Sequence, residues 1–282
     1  MDINNLARPQ WAFDPAMAAE HCGAFIKSTL GAAGVEKLVL GLSGGIDSAV
    51  AAGLAVHALG AENVLGIMMP YSSSSAASLT DAEAVAAALG MKTEKVSIAA
   101  MADTFLADIP AEDLVRRGNI MARCRMVVLY DRSARDGSLV LGTGNRTEAL
   151  LGYTTMFGDN ACALNPIAEL YKTEVRLLSA WLNLPDSVLT KAPSADLWEG
   201  QSDEDELGFS YEDVDNLLHA MFDLGKDDEG LVAAGFDLEF VNTVRRRVMG
   251  MAFKRRLAPV AEFAGRRNPD LMVAPRKDGG FH

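Results

Sequence analysis

Thiols, imidazole and positive charge are all in short supply in this sequence, and each shortage closes off a class of function. The three cysteines among its 282 residues, Cys22, Cys124 and Cys162, stand far apart, so there is no disulfide framework and no C-x-x-C metal or redox pair. They read as small core residues. The four histidines, His21, His57, His219 and His282, show no metal-ligand spacing. Nowhere do about 18 apolar residues run together, as a membrane-spanning helix needs, and the opening MDINNLARPQWAFDP has no apolar signal core. The expectation is a soluble, cytoplasmic protein. Lys and Arg number 26 against 38 Asp and Glu, a net charge of −12. Basic residues gather only in short runs at 245–247 and 254–256, which disfavours a nucleic-acid partner or an anionic membrane.

What the chain does have is apolar substance and alternation. Hydrophobic residues make up 49% of it, enough for the core of one large domain. Residues 14–30 carry helical periodicity, and KLVLGL (37–42) is a short apolar run suited to a strand buried on both faces. SAVAAGLAVHALG (48–60) reads as an Ala-rich helix closed by Gly60, NVLGIMMP (63–70) as a second strand, and YSSSSAASLTD as a loop before a helix ending at Gly90. KTEKVSI (92–98) makes a third strand, a long helix spans 118–136, and GSLVLGTGN (137–145) gives a fourth strand with a Gly-rich exit. Strands and helices in alternation predict an α/β fold, a doubly wound parallel sheet flanked by helices. We expect one domain over 14–260 with a C-terminal helical part, an N-terminal arm over 1–13 and a loose tail over 261–282. In such sheets ligands bind beyond the carboxyl ends of the strands, so the exits after Leu42 and Leu141 should face one site.

The first exit, GLSGGIDSAV (41–50), resembles a phosphate loop without the usual lysine. It fails the Walker spacing and the dinucleotide glycine spacing. Gly44 and Gly45 let the backbone approach a ligand, and Ser43 and Ser48 add hydroxyls beside the N–H groups that open the next helix. One reading is a Gly-rich turn with Asp47 capping the helix. The other is a pyrophosphate cradle in which Asp47 holds Mg²⁺, an ion that takes one or two carboxylates plus phosphate oxygens. The strand-loop-helix context favours the second.

Ser43-Gly44-Gly45-Ile46-Asp47-Ser48 is similar to the PP-loop of the N-type ATP pyrophosphatases, a superfamily of adenine nucleotide alpha hydrolase-like, Rossmann-like folds that cleave ATP to AMP and pyrophosphate. Five further stretches, GNIMARCRM (118–126), LGTGNRTEALLGYTTMFGD (141–159), NPIAELYKTEV (165–175), KAPSADLWEGQSDEDELGFSYEDVD (191–215) and MAFKRRL (251–257), resemble segments of the NAD synthetases, in the same order. That resemblance spans about residues 15–260. It implies ATP-dependent amidation of deamido-NAD by ammonia through an adenylated intermediate, giving NAD, AMP and pyrophosphate.

The resemblance also implies roles. Gly41, Leu42, Ser43, Gly44, Gly45, Ile46, Asp47 and Ser48, with Thr143, Lys172 and Ser194, would bind ATP. Asp47 and Glu148 would hold Mg²⁺. Arg123 and Lys254 would contact deamido-NAD, and Ser202-Asp203-Glu204 would stand in a second loop that closes over the site. No side-chain nucleophile is implied. The chain departs from the ammonia-dependent pattern at Met156, Ala163 and Phe253, where Lys, Asp and His would stand; GYTTMFGD is similar instead to the version in glutamine-dependent enzymes and some short bacterial forms. From residues alone, Lys172 reads equally as an exposed helix lysine, Glu148 also as a surface residue, and Arg123 as a phosphate clamp or part of a solvated face.

Residue 2 is Asp rather than a cysteine nucleophile, and the length leaves no room for a fused glutaminase, so free ammonia is the expected nitrogen source. A homodimer is implied as well. Two alternatives stand beside this reading. Another PP-loop adenylating ligase is one, although a tRNA-thiolating member would bring paired cysteines and a basic surface. A non-catalytic ATP sensor is the other, and it would bind ATP without releasing AMP.

Overall fold

The computed structural model describes residues 9–191, 203–256 and 259. Asp14 opens helix α1 (Pro15–Ala33) by accepting from the N–H groups of Ala16 and Met17, and Gly34 closes it in the left-handed conformation. Strand β1 (Lys37–Gly41) leads through the Ser-Gly-Gly loop into α2 (Ile46–Leu59). Then come β2 (Val64–Met68), α3 (Ala76–Leu89), β3 (Lys92–Lys95), α4 (Ala99–Leu106), α5 (Leu114–Asp136) and β4 (Ser138–Val140). These strands pair in parallel in the order β3-β2-β1-β4. The chain steps outward from β1 to β3 and returns to the far side of β1. The sheet is therefore doubly wound, with its switch point between β1 and β4.

Alternation along β1 divides the core. Leu38 and Leu40 turn toward α1 and α2, where Ile26, Leu30, Val50 and Leu54 are buried. Val39 turns the other way, joining Ile67 of β2 and Val140 of β4 over Met121, Cys124 and Val128 of α5. Cys22 and Cys124 are buried in these cores.

The remaining described elements are helical: α6 (Arg146–Leu151), α7 (Lys172–Trp181), α8 (Asp186–Thr190), α9 (Asp203–Leu207), α10 (Tyr211–Leu218), a π-turn at His219–Asp223, α11 (Asp228–Ala233) and α12 (Leu238–Gly250). Val175 and Leu178 of α7 join the α1–α2 core. A second core forms where Leu151 of α6 meets Tyr211, Val214 and Leu217 of α10 and Val241 and Val244 of α12. Trp11 is tied to this layer: its indole N–H donates to Glu174 at 2.7 Å and its ring stacks on His219.

Of the boundaries that differ from the sequence reading, among them the start of α5 at Leu114 and the end of β4 at Val140, two have a visible cause. α3 begins at Ala76 because Ser75 caps it, accepting from the Ser78 N–H at 3.0 Å; the serine run hid a cap. β3 ends at Lys95, although the Val96 and Ile98 N–H groups still bond the carbonyls of Met68 and Pro70. No helix among the described residues is long and apolar enough to cross a membrane.

Candidate active site

At the carboxyl end of β1 the loop folds onto its own hydroxyls. The Ser43 N–H donates to Ser48 Oγ at 3.3 Å, the Gly45 N–H donates to Ser43 Oγ at 3.2 Å, and the Ser48 hydroxyl donates to the Gly45 carbonyl at 2.9 Å. Gly44 has φ 78°, and a Cβ there would lie 2.1 Å from the Ser78 carbonyl oxygen. Only glycine satisfies both conditions. The cap of α2 is Gly45, with no side-chain hydrogen bond. Asp47 is therefore free of capping duty and points across the switch point instead.

From the far side of that gap come α6 and α7. Asn145 caps α6 in a reciprocal box: its Oδ1 accepts from the Glu148 N–H at 3.0 Å, and its own N–H donates to Glu148 Oε2 at 3.2 Å. The same side chain donates from Nδ2 to Asp47 Oδ1 at 2.8 Å, so one asparagine fixes both acids. Lys172, at the start of α7, is only 2% exposed. Its ammonium donates to Asp47 Oδ2 at 2.5 Å and to Glu148 Oε1 at 3.2 Å, and lies 5.0 Å from the centre of the Tyr211 ring.

Burial, reinforced by the Asp47 charge, raises the Glu148 carboxyl above the usual carboxylate range, against the pull of the Lys172 ammonium. Burial would lower Lys172, but the charges of Asp47 and Glu148 outweigh it and hold the ammonium above its usual range. Asp203 is also raised by burial, moderated by Lys172 and by the hydroxyls of Tyr153 and Tyr211. Asp47 and Glu148 thus share the Lys172 ammonium, with the Asp203 charge felt nearby. Among the described residues no three His, Cys, Asp or Glu side chains are arranged as a ready-made metal cage.

A cavity of about 880 Å³ opens above these groups. Its lining includes the residues of the 41–48 loop except Gly44, together with Thr143, Glu148, Lys172 and Lys254. The two strand exits do face one site. Lys254 is anchored by donating to the carbonyls of Gly152 and Thr154, both at 2.7 Å. Arg123 sits on an exposed part of α5 outside the lining and donates to the Met156 carbonyl at 3.2 Å. Met156, Ala163 and Phe253 are not in the lining either. Asp203 lines the cavity and receives the Tyr211 hydroxyl at 3.1 Å, while the Glu204 carboxylate accepts from the Tyr211 N–H at 2.9 Å. Ser194 and Ser202 lie outside the described residues. Asn145, which sequence reasoning passed over, carries a readable signal: Asn-x-x-Glu ahead of an apolar pair is a capping-box pattern. Lys172 is buried, which sets aside the alternative that it is an exposed helix lysine.

A parallel α/β sheet with a Ser-Gly-Gly-x-Asp-Ser loop at one side of its switch point, and a second acid and a buried lysine at the other, defines the class: a doubly wound, Rossmann-like α/β fold. The chain belongs to the NAD synthase family, whose model matches residues 18–258. The NH(3)-dependent NAD(+) synthetase of Pelodictyon phaeoclathratiforme is 53% identical over 243 residues, 86% of this chain and 88% of that protein. Among solved structures, the NMN synthetase of Francisella tularensis superposes with a TM-score of 0.79 at 32% identity, covering 89% of this chain and all of the other. The NH3-dependent NAD synthetase of Campylobacter jejuni superposes at 0.76 with 37% identity and the same coverage.

Proposed function

We infer that this chain is a ligase completing NAD biosynthesis: it amidates deamido-NAD with ammonia at the expense of ATP, releasing AMP and pyrophosphate. The observation that carries the chemistry is the Lys172 ammonium seated between Asp47 and Glu148 beside the serine-lined loop. A carboxylate is a poor acyl donor until its oxygen becomes a leaving group. Attack of the nicotinate carboxylate on the α-phosphorus of ATP makes an adenylate and frees pyrophosphate. Ammonia then takes the acyl carbon and AMP departs. In this reading the loop N–H groups and the hydroxyls of Ser43 and Ser48 receive the pyrophosphate, Lys172 offsets charge on the phosphates, and Thr143 contacts ATP. Lys254 and Arg123 are proposed to hold deamido-NAD. The second acidic loop is proposed to close over the bound substrates.

Asp47 and Glu148 suit Mg²⁺, because their shared ammonium stands where a cation is wanted and Mg²⁺ is content with two carboxylates and phosphate oxygens. When bound, the ion would shield the phosphate charge that repels an incoming carboxylate. A cytoplasmic homodimer supplied with free ammonia completes the proposal.

The test mixes purified protein with Mg²⁺-ATP, deamido-NAD and ammonium and measures both products. Equal amounts of NAD and AMP are expected; ATP binding with neither product contradicts the reading. Nicotinic acid mononucleotide, offered in place of the dinucleotide, should turn over more slowly. Faster turnover would mean that the mononucleotide is the preferred acceptor.

A further inference from the structure

Asp215 is a fully buried carboxylate that none of the chemistry above uses. It lies on α10, and its partners are on two other helices. Oδ1 accepts from the Thr147 hydroxyl of α6 at 2.5 Å, and Oδ2 accepts from the Thr173 N–H of α7 at 2.8 Å. Thr147 is itself fully buried, and its Oγ1 accepts from the Lys172 N–H at 3.0 Å. The first two N–H groups of α7, which have no partners within the helix, are thus received by side chains from neighbouring elements. One belongs to Lys172. The residue that receives it adjoins Glu148.

We propose that Asp215 and Thr147 are positioning residues for the reaction, forming a buried relay that fixes the backbone of Lys172 and so places its ammonium between Asp47 and Glu148. The physical case rests on reach. A lysine side chain has four rotatable carbons, so its ammonium is placed only as well as its Cα is placed. Here the Cα belongs to a helix end, the part most prone to fray. A charged acceptor makes the relay strong, since hydrogen bonds to a carboxylate are shorter and tighter than neutral ones. A neutral acceptor would suffice to hold α7 against the core. A buried carboxylate is costly, and its retention makes sense where rotation of the helix start must be suppressed. The same α10 carries Tyr211, whose ring lies beside the Lys172 ammonium, so one helix sets both the backbone and the tip of that side chain.

This inference rests on the ligase reading, and the experiment separates the two. Wild-type enzyme that forms NAD and AMP establishes the activity independently of any variant. Thr147→Val keeps the shape of the side chain but removes both the acceptor for Lys172 and the donor to Asp215. It should lower kcat about tenfold or more while the KM for ATP moves less than about threefold, because positioning of a reacting group is felt in the transition state. Thr147→Ser restores the hydroxyl and should return kcat to within about threefold of wild type. In a Lys172→Met background, Thr147→Val should cost less than about twofold further, since its effect passes through the missing ammonium. Asp215→Asn, which keeps the Thr147 hydroxyl but takes the charge from its acceptor, should lower kcat with the same dependence on Lys172 and tests the relay should Thr147→Val fail to fold. A folded Thr147→Val enzyme with unchanged kcat overturns the proposal, as do losses from Thr147→Val and Lys172→Met that simply multiply.

Discussion

A lysine exposed over only 2% of its surface remains a cation here because two carboxylates receive it. Lys172→Met would leave Asp47 and Glu148 without that cation. Breaking such a pair from one side is expected to cost about 3 kcal/mol of stability and to reduce turnover about 100-fold or more; thermal melting and steady-state assays read the two effects separately. Gly44 offers a second check. Alanine there must accept φ 78° and displace the Ser78 carbonyl. Gly44→Ala should lower stability by about 1–3 kcal/mol and weaken ATP binding, measured by calorimetry; unchanged values for both would refute the described loop geometry. At this scale the sequence was informative where the chemistry is contiguous. The loop from Gly41 to Ser48 announces itself because six successive residues carry the pattern. The bond from Asn145 to Asp47 does not, because 98 positions separate the partners.

Between elements, the junction of α6, α7 and α10 determines where the second acid and the lysine stand. Burial raises the Asp215 carboxyl to about 6 from an ordinary 3.8. A carboxyl raised by folding contributes stability that is complete below its unfolded value and lost as pH climbs through the folded one. The wild-type advantage over Asp215→Asn should therefore shrink by about 2 kcal/mol between about pH 4 and pH 7.5. Urea unfolding at the two pH values measures it, and a constant gap would contradict the assignment. Element boundaries were legible where caps are conventional, as at Asp14 and Gly34. They slipped where a polar run concealed a cap, as at Ser75, and where β3, an edge strand with little buried surface, gave way to irregular pairing after Lys95.

For the whole molecule, alternation of strands and helices was enough to foresee a doubly wound sheet, because the apolar run of β1 and the Ala-rich α2 leave little other way to bury both faces. The second core was harder to read. Its contacts join segments remote in sequence, such as Trp11 to Glu174 across 163 positions, and amphipathic helices do not name their partners. Yet that layer delivers Lys172, Glu148 and Tyr211 to the sheet's switch point, so the site belongs to the assembled fold rather than to the loop that first reveals it.

The central claim is that the substrate carboxylate attacks the α-phosphorus of ATP at this switch point. Deamido-NAD labelled with heavy oxygen in its nicotinate carboxylate tests it in one turnover experiment, with the phosphate products analysed by mass. Transfer of one labelled oxygen to AMP, with unlabelled pyrophosphate, is the predicted result. Unlabelled AMP, or label in orthophosphate accompanied by ADP, would contradict it.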